Sequence, residues 1–226
     1  MNRVLLLLLS LLLPLLLVSC SDNNVQKIDS IKEKELEYKK LLDEEINMLK
    51  ENDGYTFSEE LWKKTDGYPL DNTMDEWYSL SEKEKQQACE MPEKLLKSID
   101  TSDLLEYVIN YPYYSVRNAI ESNIDNRLEL LFDSSNIYRE FRGRKDCNIV
   151  LVNKYQGLSI DFDTISKYYS KENKDGKMER VIREFVFCER YLDIYINELS
   201  SDERLIVDKK YEEIRKTTNK TEEYIN

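Results

Sequence analysis

The chain contains no histidine among its 226 residues. Without an imidazole, a Ser-His-Asp or Cys-His nucleophile pair, a His-Glu-x-x-His zinc helix and a charge switch near neutral pH are all excluded. Glycine and proline are also scarce, with five and four residues. All five glycines fall at predicted helix ends or connecting turns, and none falls inside a helical pattern. This distribution predicts an all-α protein.

Positive charge is in short supply as well. The chain carries 33 Lys and Arg against 45 Asp and Glu, which gives a formal net charge of −12. Because affinity for nucleic acids comes largely from neutralising phosphates, we expect no nucleic-acid partner. Carboxylates are the abundant acid–base groups that remain.

The one long hydrophobic run lies at the N-terminus. Arg3 is followed by fifteen residues, Val4 to Val18, of which eleven are leucine. This is the pattern of a signal peptide, and it falls short of the roughly 20 apolar residues that span a bilayer. Directly after it, Leu17-Val18-Ser19-Cys20 resembles the lipobox of bacterial lipoproteins. In that family the cysteine becomes the mature N-terminus, its thiol takes a diacylglycerol and its amine takes an acyl chain.

The lipobox resemblance implies removal of residues 1–19 and attachment to membrane lipid through Cys20. Each buried CH₂ contributes about 0.8 kcal/mol, so two or three acyl chains anchor a protein stably. We therefore expect an extracytoplasmic protein held at the cell envelope. Residues 20–26 form the lipidated N-terminus and a short tether, residues 27–216 form one helical domain, and residues 217–226 form a frayed tail.

Three cysteines then remain, Cys89, Cys147 and Cys188. Outside the cytoplasm any two of them are permitted to form a disulfide. The odd count, and the apolar helical patterns around Cys89 and Cys188, favour three reduced cysteines in the core. Separated by dozens of residues and without histidine, they make a poor zinc site, so no metal and no cofactor is expected.

Apolar residues recur at spacings of three and four along most of the chain, which predicts helices. The first is long, covers residues 25–52 and ends at Asn52-Asp53-Gly54; Glu35 and Glu45 interrupt its apolar seam, so a sustained coiled coil is not expected. Capping-box patterns at Thr73, Ser81 and Ser200 predict three helix starts. Further caps are predicted within Thr101 to Asp103, at Ser134 or Ser135, and at Asp146. Shorter helices are predicted over 55–62, 73–77, 82–90, 92–99, 104–110, 116–131, 135–142, 146–156, 164–170, 178–199 and 201–216.

Because the shortest of these segments amount to one or two turns, we count nine or ten helices, which predict an irregular orthogonal bundle. A short α-solenoid of helix pairs is the alternative, and it is disfavoured because no repeat with a period of about 30 to 45 residues is present. The alternating piece Ser159 to Asp163 is the one strand-like segment, and it is too short and isolated to form a sheet.

A second resemblance covers Trp77 to Gly157. Its motifs are Ala88-Cys89-Glu90-Met91-Pro92-Glu93, then Thr101-x-x-Leu104-Leu105, then Tyr111-Pro112, then Arg144-Lys145-Asp146. Together they resemble a group of uncharacterised secreted or lipid-anchored bacterial helical proteins. The resemblance implies an extracytoplasmic helical protein, and it carries no activity and no functional residues.

The candidate ligand-binding residues are Tyr111, Tyr113 and Tyr114, which crowd one loop of a chain with sixteen tyrosines. Tyrosine buries a ring while its hydroxyl stays in water, so it is enriched at binding surfaces. An ordinary position on a helix surface explains the same residues, and burial of this loop against neighbouring helices would remove the hypothesis.

Carboxylate chemistry is the second possibility. A pair of acids about 5 to 9 Å apart can hydrolyse a glycosidic bond. Glu76, beside Trp77 and Tyr78 and near Trp62, is the place to search, because aromatic rings also stack on sugars. Its position as the last residue of a capping box and the value of indoles as core anchors favour a structural role.

Two charged segments favour structural interpretations. The cations Arg139, Arg142, Arg144 and Lys145 could bind a phosphate, a carboxylate or an acidic partner, yet they fit a solvated helix end better. The segment Glu172 to Gly176 is similar to a calcium loop, but Lys171 and Ile182 occupy two positions that an EF-hand requires to be acidic.

The sequence therefore predicts a lipid-anchored envelope protein that binds or scaffolds a protein or glycan partner without enzymatic activity. A carboxylate-dependent hydrolase of envelope polysaccharide is the alternative, and a purely structural spacer is a third possibility. A hydrolase needs a cleft with converging carboxylates, a binding module needs an exposed aromatic or apolar patch, and a spacer needs neither.

Overall fold

The computed structural model describes residues 31–112, 135–159 and 177–225. Several predicted features lie outside these residues: the signal peptide, Cys20 and the tether, the helices predicted over 116–131 and 164–170, the strand-like segment apart from its first residue, and Glu172 to Gly176.

The described residues form nine α-helices and no strand, which confirms the predicted all-α class. Two 3₁₀ turns, Asp75–Ser79 and Ile196–Glu198, complete the regular structure. The helices are α1 (31–51), α2 (Glu59–Trp62), α3 (Glu82–Ala88), α4 (Glu93–Ser98), α5 (Thr101–Ile109), α6 (Asn136–Gly143), α7 (Cys147–Gly157), α8 (Lys177–Tyr195) and α9 (Ser201–Ile225).

Helix α7 lies at the centre of the bundle, where it contacts α5, α6, α8 and α9. Its side chains Leu151, Val152 and Tyr155 are completely buried. Because a helix with neighbours on several sides has little exposed surface, apolar residues suit most of its circumference. The two faces of α5 are used differently: Leu104, Leu105, Val108 and Ile109 enter the core, and the opposite face is polar.

Helix α1 packs on the rest of the domain through Leu42, Ile46 and Leu49, which share one face at spacings of four and three. It ends where predicted, with Gly54 in the left-handed region at φ +84°. Glu45 lies on the buried face and is 5% exposed. The charge that interrupts the seam in the sequence is therefore a core residue.

Most helix starts form as their sequences predict. Both hydrogen bonds of the capping box are present at Ser81 and at Ser200, each with the glutamate three residues later. Ser135 accepts a hydrogen bond from the Tyr138 N–H and begins α6. The last helix, α9, continues to Ile225, past the position near 217 where the sequence analysis expects a frayed tail.

Three predicted caps are wrong. The N–H and hydroxyl of Thr73 both donate to the Asp71 carboxylate, at 2.8 and 2.6 Å, so Thr73 makes a turn and no capping box. Helix α5 is capped by Asp100, one residue before the predicted position. Asp146 makes no cap hydrogen bond, because its carboxylate accepts the Thr101 hydroxyl at 2.8 Å and so ties α5 to the start of α7.

The three remaining cysteines are buried and unpaired, as favoured by their patterns. Burial raises the pKa of the Cys188 thiol to about 12. These residues act as small apolar side chains in the core.

Candidate functional site

A groove of about 740 Å³ opens between the C-terminal end of α2, the turn that follows it, and α5. We call it the α5 groove. Its walls include Trp62, Asp66, Tyr68, Asp103 and Tyr107, and α8 contributes Arg183. Aromatic faces and polar side chains therefore line the same concave surface, which is the composition of a ligand site.

The polar face of α5 forms one wall of the groove. Asp103, Glu106, Tyr107 and Asn110 all line it, at spacings of three, one and three residues. Side chains at these spacings share one face of an α-helix. The apolar face of α5 fixes this helix in the core, so the wall has a rigid support.

Three rings form the floor of the α5 groove. The ring centroids of Trp62, Tyr68 and Tyr107 lie 5.4 to 5.9 Å from one another, with interplanar angles of 58 to 77°. Tyr68 makes edge-to-face contacts with both other rings, and Trp62 and Tyr107 are tilted relative to each other; such arrangements suit the quadrupoles of aromatic rings. Since the rings touch, a ligand can only stack on their outer surface and cannot enter between them.

Hydrogen bonds hold the turn after α2 against α5. The Thr65 hydroxyl lies 2.8 Å from the Gly67 carbonyl oxygen and closes the turn. The Tyr68 hydroxyl donates to the Tyr107 carbonyl oxygen at 2.9 Å. From the other side the Tyr38 hydroxyl of α1 donates to the Pro69 carbonyl oxygen. The groove wall is therefore tied to α5 and α1.

Asp66 and Asp103 line the α5 groove together with Tyr107. Burial raises the pKa of the Tyr107 hydroxyl, and the negative charges of Asp103 and Asp66 raise it further. Both acids are exposed, and neither carboxylate has a hydrogen-bond or ion-pair partner within the described ranges. Two uncompensated negative charges thus face one half-buried phenol.

The other two acids of the α5 groove are engaged. Asp71 accepts both hydrogen bonds from Thr73. Glu106 accepts a hydrogen bond from the Lys154 ammonium at 2.6 Å, and Lys154 also lies 3.4 Å from Glu184. These neighbouring carboxylates raise the pKa of Lys154 against the opposing effect of burial, which keeps the lysine charged.

Trp62 is the deepest residue of the groove lining. Its side chain is 1% exposed, and the indole N–H has no acceptor among the residues that the structure describes. An unsatisfied buried donor costs about 1 to 3 kcal/mol, so a hydrogen-bond acceptor from water or from a ligand would stabilise this N–H.

The predicted tyrosine loop begins at this groove. Tyr111 is 6% exposed, and its ring packs edge-to-face on Tyr68 at 6.0 Å, behind the groove wall. The next residue, Pro112, lines the groove, and its carbonyl oxygen accepts a hydrogen bond from the Asn72 amide at 3.1 Å. Tyr111 is thus a core residue, and Tyr113 and Tyr114 lie outside the described residues. Recognition by this loop stays a prediction.

The predicted carboxylate site is not assembled around Trp62. Glu76 is half-buried in the first 3₁₀ turn and is absent from the groove lining, whereas Trp62 lines the groove. Trp77 is a core residue at 5% exposure, and the exposed Tyr78 donates its hydroxyl to the Asn72 carbonyl oxygen. Of the two aromatic neighbours of Glu76, Trp77 therefore packs in the core and Tyr78 makes a hydrogen bond at the surface.

Two members of the predicted cation cluster are held by local carboxylates. Arg142 pairs with Glu198 at 2.7 Å and lies 3.5 Å from the centre of the Tyr195 ring. Arg144 pairs with Glu140 at 2.7 Å. These contacts join α6 to the turn after α8, in agreement with the structural interpretation of the cluster.

Across 31–112, 135–159 and 177–225, no group of three or more Cys, Asp and Glu side chains is placed to hold a metal ion. Within the same ranges no helix is both long enough and apolar enough to cross a bilayer.

Comparison of the chain with protein families, curated proteins and solved structures finds no match.

The α5 groove was not predicted from the sequence, although one signal for it was present. The spacing of Asp103, Glu106, Tyr107 and Asn110 marks a polar stripe with an aromatic ring in its middle. A helix face that only contacts solvent does not need an aromatic ring among its polar residues, as Tyr107 is on α5. The contribution of Arg183, which is distant in sequence, left no comparable signal.

Proposed function

We propose that this protein is a lipid-anchored protein of the bacterial cell envelope, and that its helical domain binds a protein or glycan partner in the α5 groove. One observation supports the binding role above the others: the groove combines aromatic surface with carboxylates that have no partner in the described parts of the chain. Binding sites typically join apolar surface to a few polar groups that orient the ligand.

The proposed anchor rests on the N-terminal sequence. A hydrophobic run of signal-peptide length precedes Cys20 in a lipobox-like tetrapeptide. A lipid at this position would place the domain near the membrane surface, because only a short polar tether precedes α1. The acidic chain gains nothing from the negative surface of a membrane, so the acyl chains must supply the attachment.

Fractionation of cells tests the anchor. Cys20→Ala is expected to move the protein from the membrane fraction to the soluble fraction and to abolish labelling by a clickable fatty acid. Ser21→Ala, one residue away, is the matched control and should stay membrane-bound and labelled. If Cys20→Ala still sediments with membranes, the lipid anchor is wrong.

Site-specific photo-crosslinking tests the groove. A benzoylphenylalanine at Lys63, which is exposed and lines the α5 groove, is expected to capture a partner in intact cells. The same probe at Leu205, which is 52% exposed on α9 and lies outside the groove lining, is the control and should capture nothing specific. Equal adducts at both positions, or none at Lys63, would contradict binding in the groove.

The carboxylates of the groove are also the feature that a hydrolase would need. Incubation of the protein with purified envelope polysaccharide is expected to release no new reducing ends. Release that is abolished by Asp103→Asn would replace the binding proposal with the alternative, a carboxylate-dependent hydrolase.

A further inference from the structure

We infer that the α5 groove binds a cationic group, an alkylammonium or guanidinium on a peptide segment of a protein partner, with Asp66 and Asp103 as its counter-charges. The inference rests on the proposed function, since it names the ligand chemistry of the same groove.

The charge balance of the groove is the first argument. Of its four carboxylates, Asp71 is occupied by Thr73 and Glu106 by Lys154. Asp66 and Asp103 have no such partner in the described portion of the chain. A ligand with a positive group would form ion pairs with the carboxylates of Asp66 and Asp103.

The position of Tyr107 is the second argument. Asp103 lies four residues before Tyr107 on α5, so the two side chains are neighbours on one helix face, and Asp66 lines the same groove. A cation paired with Asp103 would therefore lie near the Tyr107 ring. Cation–π contacts contribute about 0.5 to 2 kcal/mol, depending on how far the cation is desolvated.

The remaining lining residues favour a peptide over a neutral glycan. A neutral glycan brings hydroxyl groups and no charge, so Asp66 and Asp103 would stay uncompensated. The basic lining residues are Lys63, which pairs with Glu59, and Arg183. A peptide with Lys or Arg side chains offers cations to the acids and backbone carbonyl oxygens to the groove donors.

The net negative charge of the whole chain also favours a cationic ligand. A net charge of −12 attracts cationic ligands at long range and raises their association rate at low salt. Long-range attraction alone would act at any part of the surface. A test must therefore separate the groove acids from the net charge.

Calorimetry on the intact protein as purified from membranes in detergent micelles provides this test. The probe is a terminally blocked tetralysine peptide, and its counterpart has every lysine acetylated. Binding of the first peptide and not of the second is expected. Asp66→Asn with Asp103→Asn should weaken binding at least about fivefold, because two ion pairs of up to about 1 kcal/mol each are lost.

The control double variant is Asp43→Asn with Asp208→Asn. Both aspartates are exposed, neither lines the groove, and their replacement changes the net charge by the same amount. We expect this variant to weaken binding by less than about twofold, which is the size of a screened long-range effect. Equal losses in the two double variants would overturn the inference, because net charge alone would then explain the binding.

Two further outcomes separate this inference from the proposed function. If the acetylated peptide or a neutral oligosaccharide binds as tightly as tetralysine, and Tyr107→Ala abolishes that binding, the groove is a binding site and the cationic ligand is wrong. If neither peptide binds while the crosslinker at Lys63 still captures a partner, the inference fails and the proposed function stands. If no peptide binds and no adduct forms at Lys63, both fail.

Discussion

Glu45 is a carboxylate inside the interface between α1 and the start of α2. The Ser58 N–H donates to one of its oxygens at 2.7 Å, and the Ser58 hydroxyl donates to the other. Ser58 is in turn the N-cap of α2 and accepts a hydrogen bond from the Leu61 N–H at 3.2 Å. One acid thus fixes the place where two helices meet.

Replacement of Glu45 by Ala is expected to lower the free energy of unfolding by about 1 to 3 kcal/mol, because it leaves the Ser58 donors buried without their acceptor. The neighbouring Glu44 is exposed and makes a surface ion pair with Lys40 at 3.7 Å. Glu44→Ala should therefore change stability by less than about 0.5 kcal/mol. Urea denaturation measures both values, and similar values for the two variants would contradict the role of Glu45.

Glu140 contributes a pH dependence. Hydrogen bonding to Lys97, supported by Arg144, holds its pKa below the ordinary value. A folded-state pKa below the unfolded one stabilises the protein above the unfolded value of about 4.3, and this contribution disappears as the pH falls through the folded pKa. The charge of Glu140 therefore matters at neutral pH and has no effect in acid.

Glu140→Gln is expected to destabilise the protein at pH 7 by less than about 1 kcal/mol, because the ion pair is partly exposed to solvent. We expect urea denaturation between pH 7 and about pH 3 to show that the unchanged protein and Glu140→Gln differ in free energy of unfolding at neutral pH and that this difference disappears in acid. A difference of constant size would mean that the carboxylate acts through packing and not through its charge.

At the scale of elements, identical capping patterns have different outcomes. Ser81 and Ser200 form capping boxes as their sequences predict, because nothing nearby competes for their groups. Thr73 has the same pattern and forms none, since the Asp71 carboxylate takes its N–H and hydroxyl first. The four-residue pattern from Thr73 to Glu76 does not include Asp71, so the competing carboxylate cannot be read from it.

Ser81→Ala is expected to lower stability by about 0.5 to 2 kcal/mol through loss of the cap of α3. Ser102, an exposed serine within the first turn of α5, makes no side-chain hydrogen bond within the described residues and provides the control. Ser102→Ala should be neutral or slightly stabilising because alanine has the higher helix propensity. Thermal unfolding followed by circular dichroism compares the two, and equal melting temperatures would contradict the cap.

Helix order and class were predictable from the sequence because they depend on local periodicity. The stripe of α8, the end of α1 at Gly54 and the start of α6 at Ser135 all follow from spacings of three and four with a cap at one end. Asp146 shows the limit: its carboxylate binds Thr101 of another helix, and only the packing of α5 on α7 brings these two residues together.

At the scale of the whole molecule, the α5 groove joins stretches that are separate in sequence. Its polar stripe on α5 is visible in the sequence, but the turn that carries Asp66 and Tyr68 reaches α5 only through tertiary contacts, such as the hydrogen bond from Tyr68 to the Tyr107 carbonyl oxygen. Of the predicted tyrosine loop, Tyr111 packs behind Tyr68 and Pro112 lines the groove, whereas Tyr113 and Tyr114 lie outside the described residues. Long-range packing therefore determines which polar residues share a surface.

The two tryptophans of the chain report directly on whether the groove is a binding site. Trp62 lines the α5 groove with an unpartnered indole N–H, whereas Trp77 is buried in the core outside the groove lining, with Lys85 5.7 Å from its ring. Each gives one indole signal in a ¹⁵N–¹H spectrum of the protein.

The decisive measurement is a titration of ¹⁵N-labelled protein with the tetralysine peptide, followed at the two indole signals. The Trp62 signal is expected to shift and saturate while the Trp77 signal stays in place, and the shift should be lost in the variant with Asp66→Asn and Asp103→Asn. A Trp62 signal that does not move, or two indole signals that shift equally, would contradict binding of a cationic ligand in the α5 groove.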